Sequence, residues 1–235
     1  DSAIIPDRNF LNFKNGILDL NTMTLYPHSE KVFFTDIYNF DFDSEAQCHR
    51  FKEFLYTIFL GLKDLIKVDQ EWFGYLLTKK TNLQKARINT GGGKNGKSTH
   101  REVMRAIVGD NYYLDGQVST LWDKRGVHRM EGKKALFCEE TNRFTTMRSA
   151  QFKESVDGML HAERKYQDPY TFRNTAKINI NTNELPTTKD TTDGFYRRLL
   201  IFPYDYRIPV NDRDPDFYEN VLKPELPGIM NYAIE

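Results

Sequence analysis

The spacing of apolar residues changes twice along the chain. In NFLNFKNGILDLNTMTLYPH, residues 9–28, apolar and polar positions alternate around Asn15-Gly16 and stop at turn residues, which predicts small β-hairpins. From Glu45 to Leu77 the apolar residues return at helical intervals, first Phe51, Phe54, Leu55, Ile58 and Phe59, then Leu65, Ile66, Trp72 and Leu76. An interruption near Gly61 divides this stretch into two helices. From Gln84 onward, short apolar runs at Ala86–Asn89, Ala135–Cys138, Lys177–Asn181 and Leu199–Phe202 are separated by helical segments and glycine-rich turns. Such alternation predicts an α/β core with a mostly parallel sheet and crossover connections. The expected organisation is a β-hairpin and helical region over residues 1–80, followed by the α/β core over 81–235.

Composition narrows the class. A chain of 235 residues, 39% hydrophobic and 28% charged, suffices for one globular unit with at most a small appendage. No apolar run approaches the ~18 residues of a membrane-spanning helix; LLIFPY at 199–204 is short, so a soluble protein without a membrane partner is expected. Cys48 and Cys138 have neither metal-ligand nor disulfide spacing, which excludes structural zinc and points to a reducing compartment. The chain opens at Asp1 without Met or a leader and is expected to be part of a longer product. Its 33 Lys+Arg balance 33 Asp+Glu, which argues against a histone-like binder, yet the balance is uneven. Residues 1–80 carry 9 basic and 12 acidic side chains, 81–202 carry 21 and 14, and 203–235 carry 3 and 7, so the middle is the electropositive part. Asp41 and Asp43 have the spacing of a two-metal carboxylate pair, but the chain runs on into Ser44-Glu45 and a helix with no further ligand at strand spacing, and a solvated turn is the reading adopted.

The strongest chemical signal is Thr90-Gly-Gly-Gly-Lys-Asn-Gly-Lys-Ser-Thr99, which contains G-x-x-x-x-G-K-[ST] between the strand ARIN and the helical STHREVMRAIV. Glycines let successive N–H groups turn inward toward phosphates, the helix presents its N-terminus, Lys97 reaches the β/γ oxygens and the Ser98 hydroxyl binds Mg²⁺. Gly91, Gly92, Gly93, Lys94, Asn95, Gly96, Lys97, Ser98 and Thr99 are therefore expected to bind ATP or GTP. A nucleotide hydrolase also needs a carboxylate at the end of a neighbouring strand. Lys134-Ala-Leu-Phe-Cys-Glu-Glu140 supplies Glu139 and Glu140 as candidates for metal binding and water activation, in either order. The strand Lys177–Asn183 ends in amides, where Asn183 is a candidate contact to the γ-phosphate or the attacking water and capping before Leu185-Pro186 is the rival role. Asp193-Gly-Phe-Tyr-Arg-Arg-Leu-Leu-Ile-Phe202 sets Arg197 and Arg198 before a buried strand; one is a candidate arginine finger, and a structural salt bridge is the alternative for the other. Gln167-Asp-Pro169 turns a hairpin bearing Arg164, Lys165, Tyr166, Tyr170, Phe172 and Arg173, a mix of cations and aromatics that suits a sugar-phosphate backbone and its bases.

In this order, the motifs resemble the superfamily 3 helicases, specifically the helicase part of phage and plasmid primase–helicase proteins. NGILDL at 15–20, LYPHS at 25–29, FGYLLT at 73–78, GGGKNGKST at 91–99, the acids at 139–140, TNELP at 182–186, DGFYRRLLIFPY at 193–204 and PGIMNYAIE at 227–235 carry the likeness, which covers nearly the whole chain. The resemblance implies an AAA+-like P-loop NTPase core with a hairpin and helical N-terminal collar. It implies ATP and Mg²⁺ as cofactors and a hexameric ring that acts on single-stranded or forked duplex DNA. A primase-polymerase region in the same full-length chain and a phage or plasmid origin, with action in the bacterial cytoplasm, are also implied. Carried over to this sequence, Lys97 and Ser98 are the phosphate-loop pair, Glu140 is the acid after the second strand with Glu139 beside it, and Asn183 is the sensor. Arg198 is the finger with Arg197 as alternate, and Lys165 is the DNA-gripping lysine of the hairpin, flanked by Arg164 and by Tyr166 where some relatives have His. An ATP-driven DNA loader or packaging motor, which shares the loop and the ring without separating strands, is the alternative. A small-molecule kinase and a tethering module are more distant rivals.

Overall fold

The computed structural model describes residues 9–30, 32, 34, 37–139 and 146–235. It opens with strands β1 (Phe10–Phe13), β2 (Gly16–Asp19) and β3 (Thr24–Tyr26), paired antiparallel as a three-stranded meander. The first hairpin turns on Lys14-Asn15, one residue before the Asn15-Gly16 pair read from sequence, and Phe13 stands opposite Gly16. The Asn15 side chain both donates to the Phe42 carbonyl (2.8 Å) and accepts from its N–H (2.9 Å), tying the turn to the segment that leads into the helices.

Helices α1 (His49–Ile58) and α2 (Lys63–Leu77) follow, separated where Leu60 and Gly61 take positive φ angles of 53° and 70°. The α/β core then runs β4 (Ala86–Thr90), α3 (Lys97–Val108), β5 (Tyr113–Gly116), α4 (Lys124–Val127), β6 (Ala135–Glu139), α5 (Ser149–Asp157), the antiparallel hairpin β7 (Met159–Ala162) and β8 (Tyr170–Arg173), β9 (Lys177–Thr182), α6 (Asp193–Tyr196) and β10 (Leu199–Pro203), and α7 (Leu226–Ile234) closes the chain. Five strands form one parallel sheet in the order β10-β4-β9-β6-β5. The mixed α/β fold with a parallel sheet is the expected one. Edge strand β5 was not legible, because only Leu114 of its four residues is buried.

Strand β4 lies inside the sheet, between β10 and β9, with its first four residues buried, as a parallel strand covered on both faces must be. One face packs against α2, α3 and α7 through a cluster that includes Phe51, Phe73, Val103, Phe202 and Ile229 and extends to Phe13 of the meander. The other face packs through Ile88, Leu136, Phe152, Ile178 and Phe195. The change near residue 80 is thus a change of element type, and the apolar packing continues across it. Among the described residues no helix is long and apolar enough to cross a membrane.

Candidate functional site

The loop between β4 and α3 is shaped by two glycines that no other residue fits. At Gly91 (φ 150°) a Cβ would lie 2.5 Å from the Tyr204 carbonyl, and at Gly96 (φ 87°), the residue before α3, it would lie 2.9 Å from Ile58. The loop is pinned from three sides: Gly91 N–H donates to Thr182 at the end of β9 (3.2 Å), the Asn95 amide donates to the Tyr204 carbonyl (3.0 Å), and Ile208 N–H donates to the Lys94 carbonyl (2.9 Å). Lys97 is buried, and its ammonium donates to the Gly91 carbonyl (2.5 Å) and to Asn95 Oδ1 (3.3 Å). Desolvation holds its pKa below the ordinary lysine value.

This loop floors a cleft of about 840 Å³, the size of a small-molecule site. Gly93, Lys94, Asn95, Gly96, Lys97, Ser98 and Thr99 line it, with Gly91 and Gly92 just before them, and Glu139 and Asn183 line it too. Glu139 ends β6, which is separated from β4 by β9, so the acid lies one strand further away than an immediate neighbour would. One of its carboxylate oxygens pairs with Arg101 of α3. Glu140 lies outside the described residues. Ser98 is exposed at the start of α3. Its hydroxyl and the Glu139 carboxylate are hard oxygen donors facing one cleft, a set that fits Mg²⁺. The opposite wall has no sequence signature: Phe54 and Ile58 of α1 face Tyr206, Ile208 and Phe217, with the rings of Phe54 and Phe217 5.8 Å apart. A cleft with a polar loop at one end and aromatic side chains at the other can take a phosphorylated, ring-bearing ligand.

The two adjacent arginines have different surroundings. Arg198 is buried and forks onto Asp157, Nε to Oδ1 at 2.9 Å and Nη2 to Oδ2 at 2.7 Å, while it also donates to the Gly194 carbonyl. Arg197 is exposed and donates to Gln84 (3.0 Å). Of the pair, Arg198 has the structural bridge, and Arg197 is the one that faces outward. In the β7–β8 hairpin, Arg164 pairs with Glu131 at 2.5 Å, whereas Lys165 lies over the ring of Tyr166 (4.8 Å), which is 92% exposed at the turn.

Beneath the loop lies a buried polar cluster that the motifs do not reveal. Arg87 of β4 pairs with Asp69 of α2 (2.6 Å), stacks on Phe202 (3.6 Å to the ring centre) and donates to the Tyr204 hydroxyl (3.1 Å). His100 of α3 contacts the same carboxylate (3.3 Å) and the same hydroxyl (2.6 Å). Because the Tyr204 oxygen accepts from Arg87, its proton goes to His100 Nδ1, which leaves Nε2–H directed at Asp69. Burial pushes the Asp69 carboxyl up, but His100 and Arg87, through their fields and hydrogen bonds, outweigh it and leave the pKa below the ordinary value. Burial lowers the pKa of His100 in spite of Asp69.

His100 makes stability depend on pH. Its folded-state pKa is depressed, so below about pH 6.5 the unfolded chain takes up a proton that the folded chain resists. Stability is therefore complete above that pH and falls as pH drops below it, by at most about 1.4 kcal/mol per pH unit from this one group. Denaturant midpoints measured from pH 7.5 to 5.5 should decline, and His100→Gln should flatten the decline. Equal slopes for the two proteins would remove His100 as the cause.

Residues 89–198 match a family of unknown function (DUF5906), and residues 4–60 match the family described as D5 N terminal like. A candidate helicase of Acanthamoeba polyphaga mimivirus, L207/L206, is 28% identical over 160 residues, 61% of this chain and 17% of that protein. Two apo structures of the NrS-1 C-terminal region superpose with a TM-score of 0.65 at 15% and 16% identity, covering 83% of this chain and 49% of theirs. The structural likeness is one of fold, and the chain spans half or less of the length of each of these relatives. Together these likenesses relate the chain to helicase-like proteins.

Proposed function

We propose that this chain is the ATPase unit of a superfamily 3, AAA+-like helicase of the phage and plasmid primase–helicase kind, acting as a hexameric ring that moves on single-stranded DNA and unwinds duplex. The observation that carries the reading is that Lys97, Ser98, Glu139 and Asn183, drawn from three separate strand ends, line one cleft of about 840 Å³. Loop N–H groups and Lys97 hold the phosphates, and the aromatic wall at Phe54 and Phe217 receives the base. Mg²⁺, when bound, neutralises phosphate charge. Ser98 and Glu139, which line the cleft, would hold it. Water attacks the terminal phosphorus, ADP leaves, and a carboxylate, Glu139 or Glu140, takes the water's proton. Asn183 contacts the terminal phosphate. The finger falls to Arg197, since Arg198 is held by Asp157.

Lys165 and Tyr166 at the exposed hairpin turn are assigned to the DNA strand. Lys165→Ala should weaken single-stranded DNA binding at every sequence and reduce the salt slope by about 0.7, the value for one phosphate contact. Tyr166→Ala should weaken binding by about 1–3 kcal/mol, the value of one stacked base, with the slope unchanged. Fluorescence anisotropy against salt concentration reads both, and unchanged affinity in both variants would reject the assignment. The reading as a whole is tested by ATP hydrolysis with and without single-stranded DNA, particle mass with nucleotide, and separation of a forked duplex. DNA-stimulated hydrolysis on a ring-sized particle that separates strands supports it. Stimulated hydrolysis without separation would favour a loader or packaging motor, and a DNA-independent monomer would overturn it.

A further inference from the structure

One buried polar group in the cleft has no partner among the described residues. Asn181 of β9 is 9% exposed and lines the cleft with Lys97 and Ser98, and its Nδ2 is buried without a hydrogen bond. Which atom of this amide is left without a partner is fixed by chemistry. A guanidinium only donates, so the Nε of Arg87 (2.7 Å) makes Asn89 Oδ1 the acceptor. Asn89 Nδ2 must then point the other way, and it donates to Asn181 Oδ1 at 2.8 Å. The last group in the row is Asn181 Nδ2–H, a donor oriented by a chain of bonds that begins at a buried cation. A buried N–H without an acceptor is costly, so a ligand that brings one is favoured at this point.

Position identifies the acceptor. In the parallel register Asn181 lies opposite Asn89 on one side and Glu139 on the other, at the strand ends where the phosphate loop begins. If a water is activated by the carboxylate next to Asn181, it must face the phosphorus it attacks, and a donor in the adjacent register position meets the oxygens of that same phosphoryl group. We infer that Asn181, distinct from the exposed Asn183 two residues on, is a catalytic residue whose side-chain N–H binds an oxygen of the nucleotide's terminal phosphate, with Arg87 and Asn89 as its positioning residues. This inference rests on the reading of the cleft as an ATP site and goes beyond it by assigning a second amide to the reacting phosphate.

The test compares wild type, Asn181→Ala and Asn181→Asp for steady-state hydrolysis, for the affinity of ADP and of a non-hydrolysable triphosphate, and for Tm. Removing one donor aimed at the reacting group should lower kcat by about 10²–10³-fold. The triphosphate's advantage over ADP should shrink, while ADP affinity stays within about twofold because the lost bond serves the terminal phosphate alone. Asn181→Asp, which keeps the shape and replaces the donor by an anion, should lose more. A purely structural role would lower Tm and weaken ADP and triphosphate together with their ratio unchanged, and that result overturns the assignment, as does full activity in both variants. Wild type that neither binds nor hydrolyses ATP would instead overturn the reading of the cleft itself, and this inference with it.

Discussion

Lys97→Ala is expected to abolish nucleotide hydrolysis, lowering kcat/KM by about 10²–10³-fold or more, the scale of losing one preorganised charged donor at a phosphoryl site. The ammonium is buried on the floor of the cleft and, among the described residues, bound only to loop acceptors, Gly91 and Asn95, and its burial disfavours the charged form. A phosphate oxygen is a far better partner for a desolvated cation than a neutral carbonyl. The same geometry separates activity from folding. Deleting a cation that costs desolvation energy and has no carboxylate partner among the described residues should leave Tm unchanged or slightly higher. Hydrolysis and thermal melting, measured on the same preparation, give the answer, and an active Lys97→Ala variant would end the phosphate-loop reading.

Asp69→Ala should have the largest effect on stability. It leaves the fully buried Arg87 guanidinium without its carboxylate, and breaking a buried pair in this way costs about 3–5 kcal/mol. At about 2–4 °C per kcal/mol for a chain of this size, Tm should fall by about 6–20 °C. The double change Asp69→Leu with Arg87→Met removes both charges and should recover much of the loss, since apolar replacement of a buried pair is often neutral. A single variant that melts with wild type would show that the pair contributes little.

The loop between β4 and α3 stood out in the sequence because its pattern is local: ten consecutive residues carry the glycines, the lysine and the helix start, and the structure forms them as a turn running into α3. The central strands were legible for a related reason, since a strand covered on both faces is a short apolar run. Pairings across long separations were not. Arg198 meets Asp157 over 41 residues, and nothing near either one says which of the two adjacent arginines is held. Asp69 reads as a solvated helix position. The one available signal was its place three and four residues before Trp72 and Phe73, on the apolar stripe of α2, where an acid must have a partner. Asn89 and Asn181 gave a similar signal, as amides in strands buried along nearly all of their length.

The Asp69–Arg87 pair also bears on modularity. The carboxylate comes from α2 and the guanidinium from β4, so the α/β core completes its charge balance with a group from the helical region before it. Grafting this core onto a different N-terminal unit at residue 80 would exchange a neutral interior for a charged one. The transferable module therefore begins upstream of α2, and homologous recombination among relatives should leave α2 and the phosphate loop on the same side of any crossover.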